Sequence, residues 1–220
     1  MKFNSALLLL FLLLASVFPT IVYADALIGV KRGDWVEYSV SFTGTPPPEH
    51  DVIWARMEVT SVEEQRVNAT FVSQLANGTI LTVEENLDFA TGRLIDMFVI
   101  PSGLNSGDSF YAQGVGEITI DSVDVRNAVG SSRTVVHADT EDTQWFWDRA
   151  TGAVVEARTA NLVYTLDTVA LNTGLWSQQI LGVDPTIFYA FAVVFALAVI
   201  AGVIVLFARR KRRKSFHERN

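Results

Sequence analysis

The sequence predicts an all-β ectodomain, arranged as an antiparallel meander, a sandwich or a half-barrel-like sheet, followed by one C-terminal transmembrane helix. Two observations carry this prediction. Apolar and polar residues alternate along many short segments, as in strands with one buried and one solvated face. A single uncharged apolar run, Ile187–Ala208, is long enough as a helix to cross a bilayer.

Strand-like alternation begins at Val36–Phe42 and recurs at residues 53–60 and 67–71. Asn77-Gly78 supplies the positive φ of a tight hairpin turn, and Ile80–Val83 returns from it. Further strands are predicted at Leu94–Ile100, Glu117–Val123, Arg133–Ala138, Gln144–Trp147, Ala153–Thr159 and Leu162–Leu171, further hairpin turns at Thr91-Gly92 and Thr151-Gly152, and long loops at Thr43–His50 and Pro101–Phe110. Because no crossover helix is visible between these segments, an antiparallel sheet is expected.

Residues 1–24 have the pattern of a secretory signal peptide. Lys2 precedes an apolar core over Ala6–Phe18, and Val22 and Ala24 suit cleavage before Asp25. An uncleaved anchor helix is the alternative, although the apolar core is short for a membrane span. We therefore expect residues 25–171 to form an extracytoplasmic β domain.

The C-terminal part of the chain predicts a membrane anchor. Residues 172–186 are interpreted as a stem, in which Trp176 either contacts the membrane surface or packs under the domain, and residues 187–208 as the span. The stop-transfer signal is a basic run: Arg209, Arg210, Lys211, Arg212, Arg213 and Lys214. It indicates that residues 209–220 stay in the cytoplasm and contact lipid headgroups. The predicted location is the cell membrane, single-pass, with the β domain outside and the lipid bilayer as a partner.

The composition excludes several classes of protein. The formal net charge is −7 although the tail is strongly basic, so the exported domain is acidic and nucleic acid is not an expected partner. The chain has no cysteine, hence no disulfide and no thiolate nucleophile. It has no phosphate-binding loop and no dinucleotide-binding, zinc-protease or serine-hydrolase motif. We therefore predict no cofactor, no metal site and no catalytic residue.

Histidines and carboxylates are the weak candidates for chemistry. His50, in the Glu49-His50-Asp51 loop, and His137, on a predicted strand, could bind a metal or act in acid–base catalysis. Two acidic groups could hold calcium weakly: Asp121 with Asp124, and Asp139 with Glu141 and Asp142. The plainer interpretation, which we favour, is solvated turns and an exposed strand histidine.

Two asparagines and two tryptophans complete the candidate residues. Asn68 and Asn77 each begin an Asn-x-Thr triplet on the exported side and are candidate glycosylation sites. Trp145 and Trp147 share one face of a strand, and Phe146 points to the other. The tryptophans either fill the core or line a concave sheet that holds an apolar ligand, such as a lipid or isoprenoid chain.

Three stretches of the chain resemble known proteins. They are VKRGDWVEY over Val30–Tyr38, IPSGLNSGD over Ile100–Asp108, and WFWDRATGAVVE over Trp145–Glu156. Their order resembles a group of uncharacterised archaeal secreted or surface proteins with a single C-terminal membrane anchor. The Trp-Asp-x-x-Thr-Gly hairpin is also similar to turns in periplasmic lipoprotein-carrier half-barrels. The resemblance implies a location and a β-rich fold, and it implies no catalytic residue.

These observations lead to three functional hypotheses. The first is a non-enzymatic binding or interaction module at the cell surface, with another envelope protein as partner, because the tethered domain has no catalytic motif. The second is a carrier or sensor of a hydrophobic ligand, which requires an open apolar concave face containing Trp145 or Trp147. The third is an exported hydrolase, which requires His50 or His137 in a pocket beside carboxylates.

Overall fold

The computed structural model describes residues 27–47, 51–180 and 182–217. The elements in this part of the chain are β1 (Trp35–Gly44), β2 (Val52–Glu63), β3 (Arg66–Leu75), β4 (Ile80–Asp88), a turn of 3-10 helix (Ile95–Met97), β5 (Ser109–Ala112), β6 (Gly116–Thr119), β7 (Ser122–Ala128), β8 (Ser131–Asp139), β9 (Thr143–Asp148), β10 (Val154–Ala160), β11 (Tyr164–Thr173) and α1 (Pro185–His217). The domain before α1 is therefore built from strands, as predicted.

The large sheet is an antiparallel meander that folds back on its first strand. Its order is β4-β3-β2-β1-β11-β10-β9-β8-β7, so every pair of neighbours except β1 and β11 is consecutive in sequence. Val40 of β1 lies opposite Thr168 of β11, and this pairing joins the two halves. Among the described residues no ladder joins β4 to β7, and the sheet is not a closed barrel.

The segment between β4 and β7 (residues 89–121, here the cover) lies on one face of the sheet. It contains the 3-10 turn and the β5–β6 hairpin. Strands lie about 4.8 Å apart, so the sheet laid flat would measure about 38 Å from β4 to β7. Val67 of β3 and Val136 of β8 nevertheless belong to the same buried cluster as Val99 and Ile118 of the cover. The sheet must therefore curve around the cover.

Tyr38 and Trp147 are the largest fully buried side chains of this core. The Tyr38 hydroxyl donates a hydrogen bond to Val154 O over 3.2 Å, and burial raises the pKa of Tyr38, which keeps the hydroxyl protonated. Trp147 Nε1 donates to Met97 O over 2.8 Å. The polar atoms of both aromatic residues are thus satisfied, and Trp147 ties the sheet to the cover.

Two of the predicted strands are wrong in detail. Leu94–Ile100 is not a strand: Ile95–Met97 form the 3-10 turn, Asp96 and Met97 have φ of 47° and 49°, and Val99 makes only a single bridge, to Ala153. The apolar residues of this run are buried against the sheet instead of pairing with it. Glu117–Val123 is divided between β6 and β7, because the chain passes there from the cover into the large sheet.

The stem packs on the outer face of the domain. Trp176 contacts a small cluster formed by Ala128, Val135, Phe146 and Val155. Its Nε1 donates to Ala128 O over 3.2 Å, and the Arg133 guanidinium lies 4.6 Å from the centre of its ring. Of the two expectations for Trp176, packing against the domain is the one observed.

The predicted signal peptide over residues 1–24 and the loop histidine His50 lie outside the described residues. α1 covers the predicted span and the basic run that follows it, and its side chains are described as far as Ala201 and at Val203. Within the described part of the chain, no helix combines the length and apolarity that crossing a membrane requires. The span over 187–208 and the stop-transfer run over 209–214 stay predictions.

Candidate functional site

A cavity of 1120 Å³ lies between the inner face of the sheet and the cover. On the sheet side it is lined by apolar residues that include Val40, Phe71, Trp145 and Leu166, and on the cover side by Leu94, Phe98 and Ile118. Lining residues at its rim, such as Gly114 and Glu141, are exposed, so the cavity opens to solvent. Its volume and the apolar part of its walls make it a candidate site for a ligand.

The cavity occupies one end of the sheet, here the open end, where β1 ends and β2 begins. The opposite end, here the closed end, is where β1 begins and β11 ends. On each of three strands, one inward-facing residue lies in the packed core and the next inward-facing residue lines the cavity. These pairs are Tyr38 and Val40, Ala69 and Phe71, and Trp147 and Trp145. The inner face is therefore sealed by the cover at the closed end only.

Trp145 and Trp147 lie on the same face of β9, as the alternation predicts, and their rings stack with centroids 5.7 Å apart and planes 7° apart. Trp147 is fully buried, whereas Trp145 is half-buried and lines the cavity. Trp145 Nε1 donates to Thr140 Oγ1 over 3.3 Å. Trp147 therefore fills the core, as one interpretation expects, and Trp145 lies in the wall of the cavity.

Phe98 of the cover fixes the inner limit of the cavity. Its ring centroid lies 5.3 Å from that of Tyr38 and 5.2 Å from that of Phe71. Tilted aromatic pairs at these distances add to the stabilisation from burial. Phe71 and Phe98 were not among the residues singled out from the sequence. Two apolar residues stand on each side of Asp96, which breaks the period of two and is the signal that could have placed this segment outside the sheet.

The charged residues that line the cavity are all acidic within the described structure: Glu85, Asp96, Glu117, Asp121, Asp139, Glu141 and Asp142. Glu85 is paired with Arg93, with 3.7 Å between Oε2 and the guanidinium, and Asp139 Oδ1 lies 3.1 Å from His137 Nε2. Neither of these basic side chains lines the cavity. The rim therefore presents negative charge around apolar walls.

The candidates for chemistry are divided: Asp121, Asp139, Glu141 and Asp142 line the cavity, whereas Asp124 and His137 do not. His137 lies on the outer face, where its ring stacks on Phe146 with centroids 4.5 Å apart, and His50 lies outside the described residues. Asp121 Oδ2 accepts a hydrogen bond from Asp139 N over 2.9 Å, which joins the end of β8 to the residue before β7, and Ser122 Oγ donates to Asp124 over 3.0 Å. No group of three or more potential metal ligands is placed to hold an ion within the described ranges.

The two candidate glycosylation sites have different surroundings. Asn68 lies within β3, and its side chain bridges two neighbouring strands: Nδ2 donates to Ser61 Oγ over 2.8 Å, and Oδ1 accepts from Asn86 Nδ2 over 2.7 Å. Asn77 is exposed in the β3–β4 turn, and its Oδ1 accepts from Thr79 N over 2.9 Å. Of the two, Asn77 is the asparagine whose amide is accessible to a modifying enzyme.

Comparison with known proteins does not assign the chain to a family. No protein-family model matches the chain, and no curated protein matches it. Among solved structures, the chain is similar to the one described as "The Siderocalin Ex-FABP functions through dual ligand specificities", with 14% identity and a TM-score of 0.25 over 78% of this chain and 86% of that chain. A likeness of this size identifies neither the family nor the function of the chain.

Proposed function

We propose that the β domain binds a hydrophobic ligand in the cavity at the open end, as a carrier or a sensor. The observation that carries this proposal is the cavity itself, with Trp145, Phe71 and Phe98 in its wall. Ligand pockets are commonly about 300–1,000 Å³ in volume. A space of 1120 Å³ is therefore large enough for a lipid-sized molecule.

Packing energetics support a ligand as the occupant. Protein interiors are close-packed, and few voids in them exceed the size of a water molecule. Apolar wall left against water forgoes about 25 cal/mol for each Å² that a ligand would cover. A ligand that covers the apolar part of the cavity wall would therefore be stabilised by this burial.

A role in protein contacts at the cell surface is the second candidate function, and one observation favours it. The β10–β11 turn carries Leu162, which is fully exposed, and Val163, beside Pro46 and Pro47 of the β1–β2 loop. Exposed apolar patches mark contact sites with proteins or membranes. This tip lies at the open end, so an envelope partner bound there would also adjoin the cavity.

The location proposed for the domain follows from the sequence. Residues 1–24 support export, and the apolar run over 187–208 with its basic neighbour supports anchoring in the cell membrane with the β domain outside. A membrane-tethered domain with an apolar cavity is suited to hold or detect a molecule that water dissolves poorly.

The test uses the full-length protein with phosphatidylcholine vesicles and a twelve-carbon alcohol that carries a photoreactive diazirine. Peptides containing Trp145 or Phe71 are expected to be labelled. Ala55 lines the cavity, so Ala55→Phe fills part of it and should reduce this labelling about tenfold, the effect of about 1.4 kcal/mol. Ala76→Phe adds the same ring at an exposed turn and should leave labelling unchanged. Equal labelling of the two variants, or labelling outside these peptides only, would contradict the proposal.

A further inference from the structure

We infer that the ligand of this cavity is a cationic amphiphile, a molecule with an apolar body and a protonated amine or quaternary ammonium head. This inference rests on the proposed function, because the cavity supplies the binding of the apolar body. The carboxylates at the rim are not a site on their own. Their role is to select the head group.

Negatively charged carboxylates surround the rim on several sides. Asp121, Glu141 and Asp142 approach from the turns beside β7 and β9, and Glu117 from the β5–β6 hairpin; Glu85 of β4 adds a carboxylate whose charge is partly offset by Arg93. In the described structure no lysine, arginine or histidine lines the cavity with them. Anything that enters with its head at the rim therefore meets carboxylates from the sheet and from the cover.

This arrangement discriminates among amphiphiles of equal chain length. Apolar walls of low dielectric focus the field of charges at a cleft entrance, so an oppositely charged head is concentrated there. The carboxylate head of a fatty acid would be repelled, and like-charge contact is an effective means of excluding the wrong ligand. A neutral head would gain the apolar contacts alone. The order of affinity should be cation, then neutral molecule, then anion.

The aromatic wall fits the same ligand. Trp145 is half-buried at the cavity wall, and Thr140, which accepts its Nε1 hydrogen bond, is followed directly by Glu141 and Asp142. An indole ring attracts an ammonium group through its π face, more strongly where water is partly excluded. A cationic head near Trp145 would thus meet a π system and two carboxylates at the end of an apolar cavity.

The experiment compares three diazirine probes that share a twelve-carbon chain and end in an amine, an alcohol or a carboxylate. Full-length protein is labelled in the presence of phosphatidylcholine vesicles. At about 20 mM salt the amine should label peptides containing Trp145 or Phe71 about tenfold more than the carboxylate does, with the alcohol between them. At about 1 M salt, where the Debye length is near 3 Å, the ratio should approach one.

Two double variants assign the effect to the rim. Glu141→Gln with Asp142→Asn removes two rim charges and should lower the amine-to-carboxylate ratio severalfold. Glu63→Gln with Glu64→Gln removes two charges from the β2–β3 turn at the closed end and should leave the ratio unchanged. Equal labelling of the cavity by all three probes would overturn the charge inference and keep the proposed function. Absence of cavity labelling by every probe, the neutral alcohol included, would overturn both.

Discussion

Asp148 is the residue on which the β9–β10 turn depends. Its side chain is 1% exposed, and its carboxylate oxygens accept hydrogen bonds from Arg133 Nε over 2.8 Å and Arg133 Nη2 over 3.0 Å. Thr151 adds its backbone N–H over 3.0 Å and its hydroxyl over 2.8 Å. A buried carboxylate is tolerated when it is paired and hydrogen-bonded in this way. The acidic residue of the Trp-Asp-x-x-Thr-Gly hairpin is therefore structural.

Replacing Asp148 should be strongly destabilising. Asp148→Ala leaves the Arg133 charge without this partner and removes the acceptor of Thr151, so the free energy of unfolding should fall by about 3–5 kcal/mol. Asp167→Ala is the matched control, because Asp167 forms a 3.4 Å pair with Arg158 in which both side chains are about half exposed, and it should cost about 0–1 kcal/mol. Urea denaturation followed by tryptophan fluorescence measures both. Similar losses would show that Asp148 is not held as described.

At the scale of secondary-structure elements, the turn between β4 and the cover is stabilised by the negative charge of Asp88. Desolvation by itself would raise the pKa of Asp88, but hydrogen bonds from Thr91 N, the Arg66 guanidinium and Ala90 N, with the charge of Arg66, lower that pKa below its usual 3.8. The ionised form is therefore favoured in the folded state. The stabilisation is present above the unfolded pKa and is lost as the pH falls through the lowered folded value.

Asp88→Asn should accordingly destabilise the protein at pH 7, and the difference should shrink as the pH falls through the lowered pKa of Asp88. The asparagine keeps a carbonyl acceptor for Thr91 N and Ala90 N but loses the ion pair with Arg66. Thermal unfolding of the two proteins across this pH range measures the difference. A gap between wild type and variant that widens toward low pH would contradict the assignment.

The β9–β10 hairpin also clamps the cover onto the sheet. Gly152 has φ of +74°, and a Cβ placed on it would collide with Ile100 O, while Ile100 N donates to Gly152 O over 3.0 Å. On the same clamp, Arg149 Nε donates to Leu104 O over 2.8 Å. Glycine is needed at 152 for both its backbone conformation and the close approach.

Gly152→Ala should therefore lower stability by about 2 kcal/mol or more and loosen the cover. Gly103→Ala is the matched control: Gly103 has φ of +80°, but a Cβ there meets nothing within 4 Å, so only backbone strain of about 1 kcal/mol is expected. Melting temperature and the rate of proteolysis within residues 89–121 report the two effects. Equal behaviour of the two variants would mean that the contact with Ile100 does not matter.

The alternation of apolar and polar residues predicted most strands of the meander, but it did not predict the structure of the cover. Alternation places Val36, Tyr38 and Val40 on the inner face of β1, and the turn at Asn77-Gly78 is formed as expected. Alternation reports burial on one side of an extended chain, so it holds wherever a strand lies in the sheet. The apolar residues of 94–100 contact the sheet, without ladder partners over most of the segment, so their apolar character alone suggested a strand although the pairs on each side of Asp96 do not alternate.

At the scale of the whole molecule, the three stretches that resemble archaeal surface proteins (Val30–Tyr38, Ile100–Asp108 and Trp145–Glu156) meet at the closed end. Ser102 N donates to Leu27 O over 2.8 Å, three residues before the first stretch, and Ile100 N donates to Gly152 O over 3.0 Å. Arg149 Nη2 donates to Asn105 Oδ1 over 2.6 Å. These short motifs therefore build the clamp, whereas the cavity wall combines β1, β3, β9, β11 and the cover. The sequence indicated Trp145 and the rim carboxylates Asp121, Asp139, Glu141 and Asp142, but not that they share one cavity, because these residues converge only in the curved sheet.

The stem leaves the domain at the closed end. Ser131 Oγ donates to Ser177 O over 2.7 Å and Gln179 N donates to Gly130 O over 3.0 Å, both at the β7–β8 turn, whereas the cavity and Leu162 lie at the other end of the strands. A domain tethered through this stem holds its cavity on the side away from the stem. In the orientation proposed above, a ligand or partner would reach the open end from outside the cell.

Because the chain has no cysteine, single engineered cysteines report the topology without interference. In intact cells a membrane-impermeant maleimide should label Asn161→Cys, at the exposed β10–β11 turn, and should label Ser215→Cys, beyond the basic run, only after permeabilisation. Cytoplasmic retention of the six basic residues is the physical reason for the second result. Labelling of Ser215→Cys in intact cells with Asn161→Cys protected would reverse the proposed orientation. Protection of both would place the β domain inside the cell and remove access to its cavity from outside.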